Sequence, residues 1–313
     1  MSGAVIIRPL READLDAADR IFREAFGTFV GLSDPLQWGG DSDWIRTRWR
    51  ADPSLAVAAE ADGELVGTNF AVRWGSVGFF GPLSVRPDHW NQGIAQRLLE
   101  ATLPLLDAGE VRQVGLFTFP NSPKHLMLYQ RYGFWPRFLT AVVEGAVTGP
   151  ESQFIRWSRL SPADRPRHLA AASALTDAVH PGLDVTTEIR AVETQRLGDV
   201  VALPAGGQLD GLAVCHCGPG SEAGSGTCFV KFGAVRPGPH APERFAALLD
   251  ACAALARERG LERLVAGVNT ARRSAYRELL ARGMRIDILG VNLQRGGNPA
   301  YDHADSFVLD DWR

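Results

Sequence analysis

One pattern of residues occurs twice in this sequence, 150 positions apart, and the repeat limits the possible folds more than any other feature. Val85-Arg86-Pro87 returns as Val235-Arg236-Pro237, and a helical spacing of apolar residues follows each triplet. The matched positions are Ala95, Leu98, Leu99, Thr102, Leu105 and Leu106 in the first copy and Phe245, Leu248, Leu249, Cys252, Leu255 and Ala256 in the second. We therefore predict two tandem αβ units of ordinary domain size, over residues 1–147 and 153–313.

The first copy contains a glycine loop between a strand and a helix. Leu83 and Val85 end an apolar strand, and Gly93 lies just before the helix that begins near Ala95. Such a junction points several unpaired backbone N–H groups and the positive end of a helix dipole at one place. This arrangement binds anions, phosphate in particular. The loop therefore predicts a ligand that carries phosphate.

The second copy keeps the helix but has lost the loop. Gln-Gly-Ile at residues 92–94 is replaced by Pro-Glu-Arg at residues 242–244, and Phe245 replaces the small Ala95. Proline has no N–H group to donate, and glutamate places a negative charge where phosphate would bind. We expect a phosphate site in the first copy and none in the second.

The rest of the first copy alternates strands and helices. Asp62-Gly63 has the composition of a hairpin turn, and Pro104 is expected to kink or shorten the helix after the glycine loop. The predicted strands are 5–9, 55–60, 64–74, 77–85, 113–119 and 134–146, and the other predicted helices are 14–26, 42–50 and 124–132. A linker over residues 148–152 separates the copies.

Composition and charge argue against several classes of function. The net charge of −3 gives no support to nucleic-acid binding. The sequence has no apolar run long enough to span a membrane, and its first residues lack the charged start and apolar core of a signal peptide. We therefore predict a cytoplasmic protein that binds neither nucleic acid nor a membrane.

The four cysteines all lie in the second copy. Cys215-His216-Cys217 followed by Cys228 permits a zinc site, because thiolate and imidazole are zinc ligands. A Cys-x-Cys pair on a strand, however, points both thiols to one face, as core residues do. We predict that these thiols and Cys252 pack in the core and that the chain holds no metal.

Taken together, these motifs resemble the GNAT superfamily of acyl-CoA-dependent N-acyltransferases. The glycine signature of that family, R/Q-x-x-G-x-G/A, is represented by residues 90–95, with Trp90 in place of Arg or Gln. A later family motif matches Asn121 and Tyr129-Gln130-Arg131-Tyr132-Gly133-Phe134, with one extra residue between its two parts. The resemblance covers residues 5–146 well and residues 153–295 in degenerate form.

The resemblance implies a mixed α/β fold of two tandem domains, each a splayed, mostly antiparallel sheet flanked by helices. It implies that acetyl-CoA, as co-substrate, lies between the fourth and fifth strands of the first copy. Loop amides would hold the pyrophosphate, and the strand edge would pair with the pantetheine arm. The residues implied to bind this co-substrate are Leu83, Val85, Asn91, Gln92, Gly93, Ile94, Ala95, Gln96, Asn121 and Lys124.

Direct acyl transfer to an amine needs a proton for the departing thiolate, and the family position implies that Tyr129 supplies it. An unperturbed tyrosine is protonated at neutral pH and can donate to a thiolate. Tyr132 is the fallback for this role. In the second copy Leu279 takes the place of Tyr129 and has no proton to donate.

The residues leave the general base and the acceptor open. Strand 77–85 has no carboxylate, and the candidate acids are Glu24, Asp34, Asp41, Asp43 and Glu60, each equally compatible with a solvated surface charge. Candidates for contact with the phosphates of CoA are His89, Arg97 and Lys124. Aromatic residues that either line the acceptor side or belong to the core are Trp38, Trp44, Trp49, Phe70 and Trp74.

We interpret the chain as an N-acetyltransferase that moves an acetyl group from acetyl-CoA to the primary amine of a small molecule, directly, in a ternary complex. The alternative is a non-catalytic acyl-CoA-binding or interaction module, which Trp90 and the missing carboxylate favour. A doubly wound dinucleotide-binding fold is disfavoured, because no G-x-G-x-x-G follows the first strand.

Overall fold

A computed structural model describes residues 4–313. The elements of the first half are β1 (Ile6–Pro9), α1 (Leu15–Val30), α2 (Ile45–Ala51), β2 (Ala56–Ala61), β3 (Glu64–Trp74), β4 (Val77–Phe80), β5 (Ser84–Val85), α3 (Ile94–Asp107), β6 (Gln113–Thr118), α4 (Pro123–Gln130) and β7 (Phe134–Ala146). Those of the second half are β8 (Ile155–Arg156), α5 (Arg165–Val179), α6 (Thr186–Gln195), β9 (Gly198–Ala205), β10 (Gln208–Gly218), β11 (Gly224–Val235), α7 (Ala241–Glu258), β12 (Arg263–Asn269), α8 (Arg273–Ala281), β13 (Arg285–Arg295) and β14 (Val308–Leu309).

The element order of the first half recurs in the second, as the repeat in the sequence predicts. Strands β2, β3 and β4 are followed by α3, β6, α4 and β7, and strands β9, β10 and β11 are followed by α7, β12, α8 and β13. The fold is therefore a tandem α/β arrangement of two related units.

The fourteen strands of the described chain form one sheet, which the sequence analysis does not predict. Each half gives its last long strand to the other: β13 pairs with β6, and β7 pairs with β12. Between them β7 and β13 pair antiparallel, from Phe134 opposite Arg295 to Glu144 opposite Arg285. The sheet therefore runs continuously across the linker predicted at residues 148–152.

Helices pack on both faces of the sheet, because alternate residues of a strand point to opposite faces. In the first half α1 packs against Ala56, Ala58 and Phe70, whereas α3 packs against Val57 and Ala59. The apolar face of α1 is therefore the one that its spacing predicts.

One local prediction is wrong. Strand 77–85 is broken after Phe80, because Gly81 and Pro82 intervene and Pro82 has no N–H for a ladder hydrogen bond. Helix α3 extends past Pro104 and ends within one turn of it, at Asp107.

The break in the strand opens the sheet. β4 pairs in parallel with β6 from Val77 opposite Gln113 only as far as Phe79 opposite Gly115. Beyond that point the chain turns towards β3, where β5 pairs. A cleft therefore separates this chain segment from the end of β6, at the position predicted for the splayed strands.

Within residues 4–313, none of the helices combines the length and the apolar character that crossing a bilayer requires.

Candidate functional site

The cleft between β5 and β6 leads into a cavity of about 1060 Å³. Its walls include the chain from Phe80 to Val85, the loop and helix start from His89 to Gln96, and the chain from Phe117 to Tyr129. Of the residues predicted to hold a ligand, those that line this cavity are Leu83, Val85, Asn91, Gly93, Ile94, Ala95, Gln96, Lys124 and Tyr129. Gln92 and Asn121 do not line it, and both are exposed.

The glycine loop presents unpaired amides to the cavity. Gly93, the residue before the first turn of α3, has a φ of 78°, and Asn91 has a φ of 64°. The first backbone hydrogen bond of the helix joins the N–H of Arg97 to the carbonyl of Gly93. Within residues 4–313, the N–H groups of Ile94, Ala95 and Gln96 therefore have no backbone partner. Three such amides at a helix N-terminus form the anion site that the sequence predicts.

Trp90, which departs from the family signature, anchors this loop. Its indole Nε1 donates to the carbonyl of Val85 at 2.6 Å. Lys124 of α4 lies over the Trp90 ring, 5.8 Å from its centroid, and donates to Oδ1 of Asn91 at 2.7 Å. Lys124 thus connects α4 to the loop that precedes α3.

The edge of the cleft beside β5 is only partly free for pairing with a ligand. The N–H and carbonyl groups of Leu83 make no backbone hydrogen bond within residues 4–313. The carbonyl of Val85, by contrast, is occupied by Trp90. Leu83 is therefore the better placed of the two predicted residues to bind an extended ligand through its main chain.

Tyr129 is a buried residue of the cavity wall. Its side chain packs beside Phe80, with 5.8 Å between ring centroids, and it is buried in the same core as Leu99 and Leu116. Burial raises the pKa of the Tyr129 hydroxyl above its ordinary value, and the neighbouring Thr118 acts weakly in the opposite direction. The hydroxyl is therefore protonated throughout the neutral range, as a proton donor to a thiolate must be.

Tyr132, the fallback, faces away from the cavity. Its hydroxyl donates to Oε1 of Glu100 at 3.0 Å, and the side chain does not line the cavity. Of the two tyrosines, only Tyr129 is placed for chemistry in the cleft.

The other side of the cavity is aromatic. Trp38 and Trp44 line it, whereas Phe70 and Trp74 are fully buried and Trp49 donates to the carbonyl of Leu10. Further aromatic residues of this wall are Phe22, Phe26, Phe29, Phe117, Phe119 and Phe229. Phe22 of α1 packs in the core, and it also borders the cavity.

None of the five acids considered as a general base lines the cavity. Asp34, Asp41 and Asp43 accept hydrogen bonds from Leu36, Ser225 and Arg46, and Glu60 pairs with Arg8 at 2.8 Å. The carboxylates that line it are Glu144, Glu222 and Asp287. The sequence analysis misses all three. Glu144 lies near the end of β7, far in sequence from the glycine loop, and Glu222 and Asp287 belong to the second half.

Glu222 is held in a buried cluster of charges between the halves. Its carboxylate accepts from Nε and Nη2 of Arg48 at 3.2 Å each and from Nζ of Lys231 at 2.6 Å. Burial alone raises its pKa, but the positive charges of Arg48 and Lys231 outweigh this and hold the pKa well below its ordinary value. Glu222 is therefore a fixed negative charge.

The corresponding corner of the second half offers fewer amides. The N–H of Ala241 donates to the carbonyl of Gly238, Pro242 has no N–H, and Glu243 lies in the first turn of α7. Phe245, in the position of Ala95, is fully buried and packs against Phe307 with 5.3 Å between centroids.

The cleft of the second half is occupied by the chain itself. The pairing of β11 with β12 ends at Val230 opposite Ala266, and beyond it β14 pairs with Gly233 and Ala234. The carbonyl of Phe307 also accepts from the N–H of Val235. Gly233 and Val235 correspond to Leu83 and Val85 at the 150-residue offset. Residues 307–309 thus take the place that an extended ligand would take in the first half.

The cysteines pack as two pairs in the core of the second half. Sγ of Cys215 lies 3.9 Å from that of Cys252, and Sγ of Cys217 lies 3.8 Å from that of Cys228. Burial contributes to the raised pKa values of Cys215, Cys217 and Cys228. Within residues 4–313, no group of three or more potential ligands is arranged to hold a metal.

Comparison with known proteins gives one family match and several structures of similar fold. The family model described as Acetyltransferase (GNAT) family matches residues 16–134. Three solved structures share the fold of nearly the whole chain. They are a putative acetyltransferase from Pyrococcus horikoshii (13% identity, TM-score 0.68, 98% of this chain and 95% of that chain), a GCN5-related N-acetyltransferase from Sphaerobacter thermophilus (16%, 0.56, 95% and 98%), and the glucosamine N-acetyltransferase region of a fungal multi-domain β-N-acetylglucosaminidase (14%, 0.61, 93% and 38%).

Proposed function

We propose that residues 16–134, which match the GNAT family model, form an acyltransferase domain, and that the chain transfers an acetyl group from acetyl-CoA to the primary amine of a small molecule. The observation that carries the proposal is the pairing of two features in one cleft. Amides of α3 without a backbone partner within residues 4–313 and the protonated hydroxyl of Tyr129 belong to residues that line the same cavity. A thioester bound with its pyrophosphate at α3 would place its sulfur near Tyr129.

The residues that would hold acetyl-CoA fit that group. Ile94, Ala95 and Gln96 offer N–H groups to the pyrophosphate, and the main chain of Leu83 is free to bind the pantetheine arm. The acceptor would enter from the aromatic side, between α1 and the second half. In a ternary complex its neutral amine nitrogen would attack the thioester carbonyl and form the new C–N bond. The C–S bond would then break, and Tyr129 would give its proton to the thiolate. The proton that the nitrogen sheds would pass to solvent, from which the Tyr129 oxygen would regain its own.

Thiol release from acetyl-CoA in the presence of a panel of amines tests this proposal. We expect turnover by the native chain and a fall of about a hundredfold in kcat for Tyr129→Phe, the size of a general-acid contribution. CoA affinity should be little changed in that variant. Tyr132→Phe is the matched control, because its hydroxyl contacts Glu100 outside the cavity. Unchanged turnover in Tyr129→Phe would contradict the role of this residue, and tight CoA binding without turnover on any amine would favour the non-catalytic module.

A further inference from the structure

The chain segment that occupies the second cleft continues into the first cavity. After β14, Trp312 stacks on Phe79 with 6.1 Å between centroids. Arg313 then lies in the cavity wall beside Gly81, where β4 has ended. A Cβ atom built on Gly81 would lie 3.9 Å from the carbonyl carbon of Arg313. The second half thereby brings Arg313 to the cavity wall, beside Gly81.

Arg48 fixes the main chain at this point. Its Nη1 donates to the carbonyl of Gly81 at 2.6 Å, and its Nη2 donates to the main-chain oxygen of Arg313. Arg48 itself is paired with Glu222, and the side chains of both are almost completely buried. The position of Arg313 is therefore set by a buried charge network.

The guanidinium of Arg313 is held in place, but only some of its hydrogen-bond donors are used within the described residues. It packs against the rings of Trp44 and Phe229, 5.1 and 5.2 Å from their centroids. Its Nε donates to Oδ2 of Asp311 at 2.9 Å. Within residues 4–313, Nη1 and Nη2 have no hydrogen-bond partner, and the side chain lines the cavity.

Two carboxylates of this charge network are already paired. Glu222 accepts from Arg48 and Lys231, and Asp311 accepts from Arg313. The two terminal nitrogens of Arg313 are therefore donors that a ligand can use. A guanidinium presents such donors in a planar fork that matches a carboxylate.

We propose that Arg313 binds a carboxylate of the acceptor, so that the acceptor substrate carries a carboxylate as well as its amine, next to an aromatic or other apolar part. The apolar part is required by the rings of Phe22, Phe26 and Trp38 in the same cavity. This inference rests on the proposed function, because it takes the acceptor to occupy this cavity. It names the class of acceptor, which the family does not determine.

Calorimetry on the chain saturated with CoA tests the inference with three probes: L-phenylalanine, 3-phenylpropanoate and phenethylamine. We expect the two carboxylates to bind about ten- to a hundredfold more tightly than phenethylamine, as a hydrogen-bonded charge pair allows. In Arg313→Gln this difference should disappear. Arg313→Lys, which keeps the charge but loses the planar fork, should retain part of it. Arg167→Gln is the matched control, because Arg167 is an exposed residue of α5.

The inference is overturned if phenethylamine binds the native chain as tightly as the carboxylates, if the difference persists in Arg313→Gln, or if neither carboxylate binds the CoA-loaded native chain. Failure of the proposed function gives a different result, namely no CoA binding or no thiol release with any amine. Thermal unfolding of each variant shows whether it is folded, and Arg313→Lys serves if Arg313→Gln is not.

Discussion

Arg48 and Glu222 form a buried ion pair that joins the two halves beside the cavity. Their side chains are 3% and 0% exposed, and Lys231 adds a second positive charge to the same carboxylate. A buried charge without a partner is strongly unfavourable. Each member of the pair is therefore tolerated only because the other is present, although they are 174 positions apart in the chain.

We predict that Glu222→Gln lowers the free energy of unfolding at pH 7 by about 3 kcal/mol, since Arg48 and Lys231 then lose a buried partner. The pKa of Glu222 in the folded chain lies below the ordinary 4.5, so its stabilisation is complete above pH 4.5 and declines as the pH falls further. Urea unfolding should show a steeper decline below pH 4.5 for the native chain than for the variant, in which only the other carboxylates of lowered pKa, such as Asp199, still contribute. Glu64→Gln, at the exposed pair with Arg86, should cost less than about 1 kcal/mol. Equal losses in the two variants would contradict the account of the buried pair.

The residues that the sequence identifies are those with local signals. Gly93 and Tyr129 belong to short motifs, so their place on a loop and a helix follows from neighbouring residues. Glu222 and Arg313 have no such signal. Glu222 and Arg313 reach the cavity because the halves exchange strands and because residues 307–313 follow a particular path. Residue spacing in a single sequence predicts neither of these features.

At the scale of elements, the segment containing β14 gives the second half its closed cleft. Arg272, fully buried, donates to Asp302, to Asp310 and to the carbonyl of Val308. Phe307 packs against Phe245 in the corner that corresponds to the glycine loop. In the second half the cleft is therefore filled by the protein chain itself. Main-chain pairing, ion pairs and apolar contacts hold this segment in place.

We predict that Phe307→Ala lowers the free energy of unfolding by about 3–5 kcal/mol, because it leaves a cavity against Phe245. It should not create a second CoA site, since Pro242 and Glu243 remain at the helix start. Phe138→Ala, at an exposed position of β7, should cost at most about 1 kcal/mol. Urea unfolding and CoA stoichiometry measure both effects. A second equivalent of CoA bound by Phe307→Ala would contradict the loss of the amide site.

Periodicity predicts most strands and helices of the first half, because alternation and helical spacing are local properties. It fails at Gly81 and Pro82, where one strand becomes β4 and β5. Periodicity also does not predict that β7 pairs with β12 and β13 with β6. Either strand would satisfy the same alternation in its own half, so the partner is decided only by the packing of the whole chain.

For the whole molecule, the exchange of β7 and β13 joins the halves in one sheet, and the two halves contribute different groups to the cavity. The first half keeps the amides of α3 and the proton of Tyr129, whereas the second half contributes Glu222 and Arg313 to the far wall. The two halves therefore share a fold, but the amides of α3 and Tyr129 have no equivalent in the second half.

Calorimetric titration of CoA into the native chain, Ala95→Phe and Ala17→Phe tests the central claim most directly. Ala95→Phe introduces into the glycine loop the residue that the second half has at position 245, whereas Ala17 is exposed on α1. We predict one CoA per native chain, unchanged binding in Ala17→Phe, and affinity at least about tenfold weaker in Ala95→Phe, because one or two loop contacts of about 1 kcal/mol each are lost. Two CoA molecules per chain, or undiminished affinity in Ala95→Phe, would contradict the account.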